Sequence, residues 1–229
     1  MGCIMKKKKI YIILSVIIMS LLMCIVDLVI KPQYFVKSAV KIVCFLIVPM
    51  IYFAIFKDEK NGIKQIFIPR KKDFLKSLLL GCGVYIIILG AYFLLKETFD
   101  FSGITESLTG DIGVNADNFL FVAIYISFVN SLLEEFFFRG FAFILLKKQA
   151  GRKTAYIFSA LLFALYHVGM TAGWFHIIVF ILALIGLFIG GCIFNYLNEK
   201  CDNIYPSWLV HMFANFGINT VGFILFEII

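Results

Sequence analysis

The chain has 229 residues, 62% of them hydrophobic and 15% charged, with a mean hydropathy of +0.99. Soluble globular domains are about 45–50% apolar and about 25% charged, so a soluble domain is excluded and an all-α, polytopic transmembrane bundle is implied. The net charge of +7 carries information through its placement, not its sum.

A membrane-crossing helix needs about 20 mostly apolar residues. By that rule spans fall near 10–30, 39–56, 77–95, 118–138, 154–169, 176–197 and 207–227, which makes about seven (six to eight). The fourth can continue as a helix through FAFILLKKQ. The first span reads as uncleaved: the chain opens Met-Gly, but Lys6 breaks the myristoylation pattern. Met23 stands where LLMC would need a small residue for a lipoprotein signal, and the apolar run is too long for a signal-peptide core. The six cysteines (Cys3, Cys24, Cys44, Cys82, Cys192 and Cys201) show no CxxC and no zinc-type spacing with histidine. Most of them lie in apolar runs and read as small hydrophobes.

The connections set the orientation. KKKK (6–9), the stretch 57–76 and KKQAGRK (147–153) are basic, whereas 96–117 carries one lysine and five acids. Basic connections stay in the cytoplasm, and all three fall on one side if the N-terminus is cytoplasmic. Residues 1–117 form scaffold spans one to three plus an outer loop. Residues 118–229 hold spans four to seven, and the whole is one integral membrane domain.

The polar residues inside these spans need a reason, since an ionised group costs roughly 2.5–3.5 kcal/mol at a helix centre even on the mildest scale. From Asn118 to Leu133 there is no charge; then SLLEEFFFRG brings Glu134, Glu135 and Arg139. Glu135 and Arg139 are four apart and share a helix face. Glu134 points about 100° away, so one carboxylate needs another partner. Folding the chain at 150–151 sets 134 opposite His167, both roughly 25 Å from the turn at 1.5 Å per residue. A carboxylate beside an imidazole can hold and deprotonate a water. In HMFAN, His211 and Asn215 share one face and can donate two hydrogen bonds to an oxyanion or ligate a metal. The same depth count leaves His211 at the cytoplasmic end of the last span, far from His167, unless span six is short or tilted or the 198–206 loop dips inward. Gly186, Gly190 and Gly191 permit close packing in that region. His176 reads as interfacial, Asp27 as solvated near the outer end of span one, and Trp174 and Trp208 as interface anchors. HExxH, GxGxxG and Walker A patterns are absent from the sequence, and the basic runs flank the membrane, so no nucleic-acid partner is expected.

EEFFFR followed by Gly140 is an EExxxR box, FALYH (163–167) is FxxxH, and HMFAN (211–215) is HxxxN. In this order on three late spans they resemble the CPBP family of intramembrane proteases, which includes type II CAAX prenyl endopeptidases and bacteriocin-processing or Abi-type proteins. The resemblance covers roughly 118–220. It implies hydrolysis of a peptide or membrane-associated protein substrate within the bilayer. Glu134 and His167 would activate water, His211 and Asn215 would stabilise the oxyanion, and Glu135 and Arg139 would brace the first box. It leaves open a metal: zinc on Glu134, His167 and His211, or a metal-free glutamate mechanism. The alternatives are a non-catalytic bacteriocin-immunity protein acting by binding and a proton-coupled transporter using the Glu/His pair. The Lys/Ile/Phe-rich composition points to a multi-pass protein of a bacterial cell membrane. The oligomeric state is not legible.

Overall fold

The computed structural model describes residues 2–59, 64–69, 74–201 and 203–229. Seven helices among the described residues are long and apolar enough to cross a membrane. They are α1 (Ile4–Ile30), α2 (Tyr34–Ile55), α3 (Phe74–Leu95), α5 (Phe119–Ala150), α6 (Arg152–Thr171), α7 (Ile177–Cys201) and α8 (Tyr205–Leu225). A shorter helix, α4 (Ser102–Ile112), lies between α3 and α5. No strand occurs among the described residues. The basic stretch 57–76 lies partly outside them, at 60–63 and 70–73. The second span begins earlier than expected from the sequence, at Tyr34, and so takes in Lys37 as well as Lys41.

α5 is the central element. Phe136, Phe137 and Phe138 are all buried, and Phe137 stacks on Phe45 of α2 with ring centroids 4.1 Å apart. Phe141, Phe143, Tyr52, Phe163 and Tyr166 extend this aromatic core. α6 packs on α5, α7 and α1, and α3 packs along α8. The opposite faces carry exposed Ile, Leu and Phe, which suits helices whose outer solvent is lipid.

The α5–α6 connection is as tight as AGRK suggests: Gly151 adopts φ +84°, a conformation glycine reaches without a Cβ penalty. Near this turn, Glu59 accepts hydrogen bonds from Lys8 (3.0 Å), Gln149 (3.3 Å) and Lys148 (3.5 Å). Lys8 also pairs with Asp58, whose carboxyl it holds below the usual carboxylate range. Glu199 gathers Arg152 (2.9 Å), Tyr156 (2.7 Å) and Lys147 (3.3 Å). The basic segments 6–9 and 147–153 thus meet at one end of the bundle.

Two expectations need correction, those for Asp27 and for the glycines of α7. Asp27 is not solvated: its side chain is buried, and Oδ1 lies 2.6 Å from Lys37 Nζ. Trp208 is half-buried, and its indole N–H donates to Ser131 Oγ (3.0 Å) and Phe128 O (3.2 Å) of α5. Of the three glycines on α7, only Gly191 lies at a close approach. An added Cβ there would sit 3.0 Å from Ala160 Cα, whereas Gly186 and Gly190 face open space. His176 is exposed, its ring 5.6 Å from Phe99.

Candidate active site

The backbone of α5 departs from regular α geometry on both sides of the first box. It runs as π-helix over Ile126–Asn130 and again over Glu135–Leu145. Widened turns of this kind are frequent at functional sites, because they redirect side chains and free carbonyls. Ile126 O accepts the Ser131 N–H across the first of these turns and also a second donor, Asn215 Nδ2, at 3.1 Å.

Glu134, Glu135, Arg139, His167 and His211 form one buried cluster. Glu134 Oε2 lies 3.8 Å from His167 Nε2 and 3.7 Å from His211 Nε2. The depth match between 134 and 167 therefore holds. The separation expected for His211 does not, and the reason is the α7–α8 connection. Asn198, Cys201, Asn203 and Ile204 are buried. The Ile204 N–H donates to Ile66 O at 3.0 Å, and Ser207 Oγ donates to Asn198 Oδ1 at 2.9 Å. Because this connection is tucked inside the protein, α8 starts below the surface and carries His211 to the level of Glu134. α7 itself is long, with 25 residues.

Each imidazole is oriented from behind. His167 Nδ1 lies 2.7 Å from Phe163 O, and His211 Nδ1 lies 3.0 Å from Glu135 Oε1. With both Nδ1–H groups so engaged, both Nε2 atoms face Glu134 Oε2. Glu135 also lies 3.6 Å from Arg139 through its other oxygen. The Arg139 guanidinium sits 4.0 Å from the Phe163 ring centroid and 5.0 Å from that of Phe194, a cation–π arrangement suited to a dry site. Asn215 is one turn beyond His211, and its hydrogen bond goes to Ile126 O rather than to the cluster.

Three members of the site were not singled out from the sequence. Glu134 Oε1 accepts hydrogen bonds from Asn130 Nδ2 (2.9 Å), Lys41 Nζ (3.0 Å) and Tyr166 OH (3.3 Å). Asn130 is four residues before Glu134 and Tyr166 adjoins His167, so helical spacing alone could have flagged both. Lys41 falls inside the span expected at 39–56, so a charge within an apolar run could have flagged it as well.

No group of three His, Cys, Asp or Glu side chains among the described residues is arranged to hold a metal ion. The Lys41 ammonium on Glu134 also opposes a second cation there.

Comparison with known proteins bears on the same residues. Residues 116–217 match the family model described as type II CAAX prenyl endopeptidase Rce1-like. The match is a little under half of the chain, begins just before α5 and ends within α8, and contains all three boxes. It agrees with the resemblance drawn from the motifs and supports a CAAX-type intramembrane protease, a hydrolase with a peptide or protein substrate, in a multi-pass membrane protein. No curated protein and no solved structure matches the chain.

Proposed function

We propose that the protein is an intramembrane endopeptidase that hydrolyses a peptide bond through Glu134, with His167 and His211 beside it. The observation that carries this reading is the convergence of both imidazole Nε2 atoms on Glu134 Oε2, inside an aromatic enclosure where charges are otherwise hard to justify. A water between these atoms donates one hydrogen to His167 Nε2, which orients its lone pair toward the scissile carbonyl. Its other proton passes to Glu134 Oε2 as the new C–O bond forms. Glu134 then gives that proton to the departing amine nitrogen as the C–N bond breaks, so acid and amine are released and the carboxylate is restored.

The oxyanion is met by His211 and Asn215. Protonated His211 donates from Nε2, with Glu135 balancing its charge from the Nδ1 side and Arg139 holding Glu135. Asn215 spends one amide hydrogen on Ile126 O and keeps the other for the oxyanion. No step requires a metal. An apolar groove of about 720 Å³ between α2 and α5, lined by Leu46, Phe53, Leu133 and Phe136 among others, lies beside the cluster and suits an apolar segment entering from the bilayer. Leader peptides of bacteriocins or signalling peptides in a bacterial membrane are the substrate class we favour.

The test compares peptide pools by mass spectrometry between cells carrying the intact protein and Glu134→Gln. Peptides made only by the intact protein are expected, with the variant inserted in the membrane at equal level. Identical pools would reject the protease reading. Protection from a toxin that persists in Glu134→Gln would favour an immunity protein that acts by binding. Purified active protein should hold no stoichiometric zinc, and cleavage lost to a chelator and restored by zinc would overturn the metal-free mechanism.

A further inference from the structure

The family match starts at residue 116, yet the group nearest to neutralising Glu134 comes from α2, far outside it. Lys41 is 5% exposed, and its ammonium reaches Asn130 Oδ1 at 2.6 Å and Glu134 Oε1 at 3.0 Å. It also lies 5.0 Å from the centre of the Tyr166 ring. Asn130 closes a triangle by donating to the same Oε1 at 2.9 Å. All three donors therefore fall on Oε1, and Oε2 is left to the two histidines.

Charge bookkeeping of the buried cluster explains why a cation is needed here. Asp27 is matched by Lys37, Glu135 by Arg139, and Glu134 by Lys41. Arg139 is committed to Glu135, so Lys41 is the permanent cation in contact with Glu134. A buried carboxylate stripped of its partner is strongly disfavoured in ionised form.

We propose that Lys41 is a positioning residue of the reaction: it anchors Oε1 of Glu134 and balances its charge, so that Oε2 faces the water as an ionised base. This rests on the proteolytic reading of Glu134. It makes the N-terminal spans part of the active site and not scaffold alone.

The experiment uses the full-length protein with Lys41→Met, Lys41→Arg and Lys41→Met/Glu134→Gln. Two readouts are taken: thermal unfolding in detergent, and the yield of the peptides that depend on Glu134 in the pool comparison. Lys41→Met is expected to reduce those peptides about tenfold or more, and Lys41→Arg to recover most of them. Lys41→Met should lower the melting temperature when residue 134 is Glu and have little effect when it is Gln. Peptide yield within twofold of the intact protein, no rescue by Arg, or an equal melting loss in both backgrounds would each overturn the proposal. If Lys41→Met does not accumulate, accumulation of the double variant supports it, and failure of the double variant as well refutes it. Absence of any Glu134-dependent peptide from the intact protein sinks the protease reading instead, and leaves the melting comparison to report on the charge pair alone.

Discussion

Arg139 is fully buried, yet among the described residues no acceptor satisfies any of its three nitrogens by hydrogen-bond geometry. Its favourable contacts are the Phe163 and Phe194 rings and the charge of Glu135. Such a group is held by its surroundings and in turn holds Glu135 against His211. Arg139→Met strands a buried carboxylate, a defect that typically costs about 3–5 kcal/mol. Adding Glu135→Gln removes the stranded charge. Thermal unfolding should show a large loss for the single change and substantial recovery for the pair; equal losses would mean that Arg139 acts through packing alone. The pairing of 135 with 139 was legible from their spacing, because i and i+4 share a face whatever the tertiary fold. The Glu135–His211 contact was not, since it joins two helices 76 residues apart in the chain.

At the scale of elements, the site depends on how closely α6 can approach its neighbours, since α6 carries Tyr166 and His167. Gly191 on α7 meets Ala160 with no room for a methyl group, and Gly169 on α6 is equally tight against the backbone of Cys24 on α1. Backbone atoms cannot yield as a flexible side chain can, so Gly191→Ala forces the helices apart at a cost of about 1–3 kcal/mol. Gly190→Ala meets nothing and should leave the melting temperature unchanged or slightly higher, alanine being the better helix former. Similar melting of the two variants would refute the close-packing account. Seven apolar runs and the AGRK turn were readable because span length and glycine chemistry are local. Which of the α7 glycines faces a neighbour was not, because it depends on helix rotation.

At the scale of the whole molecule, Lys8, Lys148, Gln149 and Glu59 tie the first span, the second and the long α5 together at one end. We place that end in the cytoplasm, because basic connections are retained there. A reporter active only outside the cytoplasm should be silent when fused after residue 150 and active when fused within 102–112. The reverse pattern would invert the topology, along with the face from which the polar end of a substrate reaches Glu134.

The sequence by itself determined that this is a helical membrane protein with about seven spans, and that Glu134, Glu135, Arg139, His167 and His211 are exceptional for where they sit. Hydropathy, helical spacing and the cost of charge in hydrocarbon are properties of short stretches and need no fold to be read. Only the tertiary structure decided that His211 reaches Glu134, that Asn215 turns to the Ile126 carbonyl, and that Lys41 belongs with the Glu134 carboxylate. Those outcomes hang on a buried α7–α8 connection, π-type turns in α5 and the docking of α2. Each is set by packing between distant segments, and no local pattern encodes it.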